Sequence, residues 1–120
     1  MRSILLGEDD RNFGLVLKGE LEESQYTVDL VPNGVEAVLK FITTPYHFVL
    51  LDILMPRLSG IDTLRIIKKI NPLIPVIAFS GNAGSREMEE SVECGAIKCY
   101  RKPFAISQLK DDVRNCILRE

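Results

Sequence analysis

The sequence predicts an α/β domain built on a doubly wound parallel sheet of five strands, with a layer of helices on each face. Five short apolar runs recur along the 120 residues, and each run is followed by a segment with helical periodicity. Strict alternation of strand and helix implies right-handed crossovers. Such crossovers place the strands in one parallel sheet between two helical layers.

The strands are predicted from apolar runs at 3–7, 27–31, 48–52, 76–80 and 97–100. The third run is the clearest, because residues 47–51 show no alternation of apolar and polar positions, as is typical of a strand buried on both faces. Pro56 prevents this strand from continuing. Asp52 is therefore placed at the carboxyl end of a strand, the edge where ligands bind in open parallel sheets.

The helices are predicted over 12–23, 34–43, 60–70, 85–94 and 106–118. Apolar residues recur at every fourth position in the first and the last of them, which indicates one buried face on each. These residues are Phe13, Leu17 and Leu21, and Leu109, Val113 and Ile117. Asn82 or Ser85 is expected to cap the fourth helix, because either side chain accepts hydrogen bonds from backbone N–H groups.

The composition describes one ordinary globular domain over residues 1–120. Hydrophobic residues make up 46% of the chain and charged residues 27%, which argues against disorder. A net charge of −2 gives no basic face for nucleic acid. No apolar stretch approaches the roughly 20 residues of a membrane span, and the first residues turn acidic too soon for a signal peptide. We therefore expect a cytoplasmic protein that binds neither nucleic acid nor membranes.

The three cysteines give no sign of a metal centre. Cys94, Cys99 and Cys116 have no CxxC spacing, and the single histidine, His47, does not complete a zinc pattern with them. We expect free thiols that are buried or half-buried.

Acidic residues follow two of the predicted strands. Glu8, Asp9 and Asp10 come directly after the first strand, and Asp52 ends the third. Carboxylates gathered at one sheet edge repel one another unless a cation lies among them, and oxygen ligands of this kind suit Mg²⁺. A second interpretation is that these acids solvate a loop or complement the N-terminus of the next helix.

Two further polar residues lie at the ends of the fourth and fifth strands. Ser80 ends the fourth strand, and Lys102 follows the fifth, immediately before Pro103. A hydroxyl and an ammonium at this rim would both bind oxygens of a phosphoryl group on Asp52. Taken singly, Ser80 would be a simple strand end and Lys102 a surface charge. Their joint position at successive strand ends favours a site.

An ordered set of motifs resembles the receiver domains of bacterial response regulators, the CheY-like family. The resemblance covers essentially all 120 residues, with intervals of 28 residues from Asp52 to Ser80 and 50 from Asp52 to Lys102. The motifs lie at 4–10, 33–37, 51–56, 60, 75–80, 95–96 and 102–104. The resemblance implies the strand order 2-1-3-4-5. It also implies a signalling domain that catalyses its own aspartyl phosphorylation and is not a conventional turnover enzyme.

The resemblance assigns roles to the acidic residues. It implies that Asp52 is the phosphoacceptor and that Mg²⁺ or Mn²⁺ is bound by Asp9, by Asp52 and by the backbone carbonyl of Leu54. Glu8 would bind the ion through water. Asp10 matches a position that varies in the family, and we leave it outside the core site.

The resemblance also implies a switch. Ser80 matches the hydroxyl that moves onto the phosphoryl group, and Lys102 matches the lysine that senses it. The phosphoryl donor would be a sensor histidine kinase or a phosphotransfer protein. The fourth helix, fifth strand and fifth helix would form the surface read by a downstream protein, an output domain or a second copy in a homodimer.

Four positions depart from the family pattern or qualify it. Cys99 lies where the family usually has an aromatic switch residue, and Tyr100 cannot replace it because neighbouring strand residues point to opposite faces. Cys99 is thus either a packing variant or the mark of a weakened switch. Leu54 and Asn82 lie two residues after Asp52 and Ser80, and an apolar Leu54 predicts a long-lived phosphoryl group. His47 is expected at a strand edge away from the site.

Three alternative functions remain at this stage. A phosphatase of the haloacid dehalogenase type would need an aspartate at position 54, where this chain has Leu54. A flavodoxin-like cofactor binder would need a phosphate-binding loop after the first strand, where Glu8, Asp9 and Asp10 repel phosphate. A phosphorylation-independent interaction module on the same fold would not need the phosphorylation site, whose residues are all present here. Cys99 keeps this third alternative open.

Overall fold

The computed structural model describes residues 2–118, and within them five strands alternate with five helices. The strands and helices follow in the order β1 (Ser3–Gly7), α1 (Arg11–Glu23), β2 (Thr27–Val31), α2 (Gly34–Thr43), β3 (Phe48–Asp52), α3 (Gly60–Ile70), β4 (Val76–Ser80), α4 (Ser85–Glu93), β5 (Lys98–Arg101) and α5 (Ile106–Leu118). The predicted alternation is confirmed. Residues 1, 119 and 120 of the predicted domain lie outside the described residues.

The five strands form one parallel sheet in the order β2-β1-β3-β4-β5. This confirms the predicted doubly wound topology. Every residue of β3 and β4 is buried, as the unbroken apolar run at 47–51 predicts for the centre of the sheet. Because all strands run in one direction, their carboxyl ends share one edge. At this edge Asp52 pairs with Phe79, and Ser80 pairs with Arg101.

A hydrophobic core lies on each face of the sheet. One core packs α2, α3 and the start of α4 against the sheet, and Leu51, Leu64 and Ile67 lie fully inside it. The other packs α1 and α5 against the opposite face. It contains the residues predicted from periodicity: Leu17, Leu21, Leu109, Val113 and Ile117 are buried, and Phe13 is half-buried.

A close backbone approach fixes α3 beneath the end of β3. The first residue of α3 is Gly60, and a Cβ atom there would collide with the carbonyl oxygen of Asp52 and the Cα atom of Ile53. The N–H of Gly60 donates to the carbonyl of Ile53 at 3.1 Å. Glycine thus lets α3 begin directly against the strand end that carries Asp52.

Element boundaries differ slightly from the prediction. Strand β5 runs from Lys98 to Arg101 instead of 97–100, because its register pairs Lys98 with Ile77. Helix α1 begins at Arg11, one residue earlier than predicted, because Asp10 caps it by accepting from the N–H of Phe13 at 3.2 Å.

Helix α4 begins at Ser85 as predicted, but its cap and its last residue differ from the prediction. The prediction that Asn82 or Ser85 caps it is wrong: Gly84 is the N-cap, and its N–H donates to the Glu87 carboxylate at 3.2 Å. The carboxylate three residues into the helix thus replaces a capping side chain. At the other end, Cys94 is the C-cap and lies outside the helix.

The structure also describes the cysteines, the bond before Pro103 and the lengths of the helices. Cys94, Cys99 and Cys116 are thiols that are not joined in disulfides, and each is half-buried. The bond between Lys102 and Pro103 is cis. Among residues 2–118, no helix combines the length and the apolar character that a membrane crossing needs.

Candidate functional site

Three carboxylates meet at the carboxyl edge of the sheet. Glu8 and Asp9 follow β1, Asp52 ends β3, and oxygens from the three side chains lie within 4.8 Å of one another. Glu8 and Asp52 are 1% and 4% exposed, whereas Asp9 faces solvent. The parallel sheet brings them together because β1 and β3 are neighbours whose chains end at the same edge.

The Lys102 ammonium lies among these acids. Its Nζ atom is 2.5 Å from Glu8 Oε1 and 3.0 Å from Asp52 Oδ2. Below it, the ring centroid of Phe13 is 4.3 Å away and that of Phe79 is 5.3 Å away. The Lys102 ammonium thus offsets part of the negative charge of the carboxylates, and aromatic faces support it from beneath.

Both carboxylate oxygens of Asp52 are engaged. Oδ1 accepts from the N–H of Leu54 at 2.8 Å, and Oδ2 accepts from Lys102. The Leu54 side chain is 39% exposed and lines the pocket above the carboxylate. Asp52 is therefore held in one orientation, with an apolar neighbour at its open side.

Burial sets the protonation of the site. The pKa of Glu8 is raised from 4.5 to about 7, mainly because burial disfavours the charged form. The Lys102 hydrogen bond and the Asp10 N–H lower this pKa, whereas the nearby Asp52 carboxylate raises it. Burial lowers the pKa of Lys102, but its hydrogen bonds to Glu8 and Asp52 outweigh burial, and the pKa is raised overall. Lys102 is therefore charged at neutral pH.

Ser80 completes the rim from β4. Its side chain is fully buried, and its Oγ accepts from the N–H groups of Asn82 at 3.3 Å and Ala83 at 3.0 Å. The structure brings all the sequence-predicted site residues into one pocket of about 360 Å³. Its lining consists of Glu8, Asp9, Asp10, Asp52, Leu54, Ser80, Gly81, Asn82 and Lys102.

Two side chains at the site were not found by sequence reasoning. Phe13 was predicted only as part of the buried face of α1, yet its ring lies beneath Lys102. Arg101 was not singled out, yet its Nη1 donates to the carbonyl of Ala83 at 3.1 Å. The capping position of Asp10, three residues before Phe13, was the signal that could have placed the ring beside the acids.

The positions that depart from the family pattern lie as expected. Cys99 packs toward the core under α4, and Tyr100 packs on the opposite face, where its ring stacks on Phe104 with centroids 5.2 Å apart. His47 lies at the amino end of β3, where its Nδ1 accepts from the N–H of Ser3 at 3.0 Å. His47 is thus confirmed at a strand edge away from the carboxylates.

Comparison with known proteins agrees with this geometry. A family model described as "Response regulator receiver domain" matches residues 4–114. The solved structure of response regulator protein TrrA from Thermotoga maritima in complex with Mg²⁺-BeF is 33% identical, with a TM-score of 0.87. The match covers 97% of this chain and 99% of that chain.

Longer curated proteins contain similar segments. "Sensor protein EvgS" of Escherichia coli K12 is 32% identical over 108 residues, which are 90% of this chain and 9% of that protein. "Transcriptional regulatory protein CpxR homolog" of Haemophilus influenzae is 36% identical over 104 residues, which are 87% of this chain and 45% of that protein. This chain thus spans less than half the length of either relative. With the fold, the acidic pocket and the family match in agreement, the chain belongs to the response regulator receiver domain family: it is a receiver domain of two-component phosphorelay signalling and not a conventional enzyme.

Proposed function

We propose that this receiver accepts a phosphoryl group on Asp52 from the phosphohistidine of a sensor histidine kinase or a phosphotransfer protein. The observation that carries the proposal is the setting of Asp52. This carboxylate lies at the end of a buried strand, fixed by the Leu54 N–H and the Lys102 ammonium, and it faces an open pocket. A fixed, oriented carboxylate beside a cation is suited to attack phosphorus.

The proposed transfer is a displacement at phosphorus. A carboxylate oxygen of Asp52 forms the new P–O bond as the P–N bond to the histidine breaks, and the electron pair of that bond stays on the departing imidazole. Lys102 stabilises negative charge on the phosphoryl oxygens, since its Nζ already lies 3.0 Å from Asp52. Ser80, at the same rim, supplies a hydroxyl to the transferred group.

The donor set of the pocket fits a hard divalent cation. Asp9, Asp52 and the backbone carbonyl of Leu54 would bind Mg²⁺ or Mn²⁺ directly, and Glu8 would bind it through water. All of these are oxygen ligands, and the three carboxylates already lie within 4.8 Å of one another. When bound, the ion would neutralise charge on the phosphoryl oxygens.

The proposed output is a shift in population at one surface. We define the output surface as the face formed by α4, β5 and α5. Once Asp52 carries a phosphoryl group, the Ser80 hydroxyl turns toward it, and the loop between β4 and α4 follows. A downstream protein, an output domain or a second copy of the receiver would then bind this surface. Light scattering with and without phosphorylation tests the homodimer.

The direct test is phosphorylation by a small donor. The protein is incubated with acetyl phosphate and Mg²⁺, and the intact mass is measured. We expect one phosphoryl group on the wild type, and none on Asp52→Asn or when the metal is chelated. The matched control is Asp10→Asn, which removes a neighbouring charge but keeps a side chain that caps α1, and it should be phosphorylated like the wild type.

Two other outcomes separate the alternatives. Phosphorylation of Asp52→Asn at the wild-type level would exclude Asp52 as the acceptor. A wild type that stays unmodified and does not respond to beryllium fluoride with Mg²⁺ would favour the phosphorylation-independent module.

A further inference from the structure

Arg101 connects the end of β5 to the loop between β4 and α4. Its Nη1 donates to the carbonyl of Ala83 at 3.1 Å. In the register of the sheet Arg101 pairs with Ser80, and the next N–H, that of Lys102, donates to the Ser80 carbonyl at 2.9 Å. A side chain of the output surface is thus anchored to the loop that begins directly after Ser80.

Ala83 is held at both of its backbone groups. Its N–H donates to Ser80 Oγ at 3.0 Å, and its carbonyl accepts from Arg101. Ala83 is 1% exposed and belongs to the core under α4, so it cannot move without repacking that core. The Ser80 hydroxyl and the Arg101 guanidinium are therefore joined through one buried residue.

Arg101 is the side chain of β5 that reaches the loop between β4 and α4. Side chains alternate along a strand, so Arg101 and Cys99 point to the same face, toward α4, while Tyr100 points away. Cys99 is half-buried and its thiol lies beside the Ser91 hydroxyl within α4. A thiol is too short to reach the loop, whereas the guanidinium does so from the end of the strand.

We propose that Arg101 is the positioning residue that couples Ser80 to the output surface in this receiver. The inference rests on the proposed function and names the residue that transmits the movement of Ser80 to the output surface. When the Ser80 hydroxyl turns to a phosphoryl group on Asp52, it no longer accepts from the Ala83 N–H. A buried N–H without an acceptor is unfavourable, so Ala83 moves with the loop and its carbonyl leaves Arg101. The freed guanidinium then changes the charge and shape of the output surface.

The coupling fixes the sign of a measurable effect. The bond between Arg101 and Ala83 stabilises the unphosphorylated arrangement, so its removal favours the other arrangement and every ligand specific to it. For Arg101→Met we expect beryllium fluoride to bind about 3- to 10-fold more tightly in the presence of Mg²⁺. Loss of a positive charge near the pocket would by itself weaken binding of this anion. The two effects therefore have opposite signs.

The experiment is a titration of the metal-loaded protein with beryllium fluoride, followed by backbone amide resonances. Arg101→Lys keeps the charge and a donor, and its affinity should lie near that of the wild type. The matched control is Lys98→Met, which removes a cation from the same strand, where Lys98 pairs with Asp112 at 3.1 Å and does not touch the loop. Lys98→Met should bind like the wild type.

A second measurement follows the loop itself. In Arg101→Met without beryllium fluoride, the Ala83 amide should exchange with solvent faster than in the wild type, while amides of β3 are unchanged. Equal or weaker binding by Arg101→Met, beside a wild type that binds, would overturn the inference and leave the phosphoacceptor proposal standing. Failure of the wild type to bind would overturn both.

Discussion

Lys102 resolves the electrostatic conflict that the sequence creates at the strand ends. Side chains that would repel one another are held together because one ammonium contacts both Glu8 and Asp52. Lys102 is 94 residues from Glu8 and 50 residues from Asp52 in sequence, yet the parallel topology brings the three side chains together. Removing this one charge would leave two buried carboxylates without a cationic partner, which is strongly unfavourable.

Glu8 gives the metal-free protein a specific pH dependence. Its pKa is raised from 4.5 to about 7, so between these values the folded state binds more protons than the unfolded state. Stability contributed by this group therefore falls as pH rises from 5 to 7. The groups around it are Lys102, Asp52 and the Asp10 N–H.

Urea unfolding in chelator at pH 5, 6 and 7 measures this effect. Relative to Glu8→Gln, the wild type should lose stability across the series. Glu22→Gln, an exposed change on α1, serves as the control. Its free energy of unfolding should change with pH as that of the wild type does. The prediction would be contradicted if the free energies of unfolding of the wild type and Glu8→Gln differed by the same amount at all three pH values.

Leu54 predicts slow loss of the phosphoryl group. Its side chain lines the pocket and has no polar atom with which to orient an attacking water. We expect Leu54→Asn to shorten the lifetime of phospho-Asp52 on the order of tenfold, because an oriented water reacts faster than a random one. The decay of the phosphorylated mass after donor removal measures this, with Leu54→Val as the control. Rapid Mg²⁺-dependent decay in the wild type would contradict it.

At the residue level, sequence reasoning found the strand-end groups and missed the contacts between elements. Asp52, Ser80 and Lys102 were predictable because each follows an apolar run, and parallel topology brings run ends together. The ring of Phe13 beneath Lys102 and the reach of Arg101 to Ala83 depend on how α1 and α4 pack. Periodicity shows which face of a helix is buried, but it does not show which atom lies opposite.

At the level of elements, the junction of β3 and α3 is the most tightly constrained. Gly60→Ala would drive a Cβ atom into the backbone of Asp52 and Ile53, and we expect destabilisation of about 2–3 kcal/mol from overpacking. Gly19→Ala, within α1, meets no atom within 4 Å and should stabilise the protein by about 0.5–1 kcal/mol. Denaturant unfolding of both variants tests the pair. A Gly60→Ala variant as stable as the wild type would show that α3 does not approach the end of β3 this closely.

The ends of elements were less predictable than their existence. Helix α4 carries Ser85 and follows Asn82, both good caps by residue type, yet Gly84 is the cap because Glu87 reaches back to its N–H. Strand β5 begins one residue late because pairing with β4 sets the register, whereas Ile97 is 46% exposed and adds little to the core. A local side-chain contact set the cap of α4, and tertiary pairing with β4 set the start of β5.

At the level of the whole molecule, ligand binding at the sheet edge should stabilise the entire fold. The pocket is lined by the segment after β1, by residues of β3 and β4, and by the segment after β5, so a ligand held there binds only the folded chain. Beryllium fluoride with Mg²⁺ at a hundred times its Kd should add about 2.7 kcal/mol, a rise in Tm of roughly 10 °C. Calorimetry measures this shift, and Asp52→Asn should abolish it. An equal shift in the variant would mean that the ligand binds elsewhere.

The aromatic support beneath Lys102 has a consequence for the speed of the response. A ring attracts an ammonium over its whole face and not at a single atom, so Lys102 can exchange a carboxylate oxygen for a phosphoryl oxygen while it stays above Phe13. The charge that the incoming group needs is already in position. In the proposed transfer, little reorganisation energy would then be required when negative charge moves from Asp52 to the phosphoryl oxygens, because the ammonium is in place before any partner arrives.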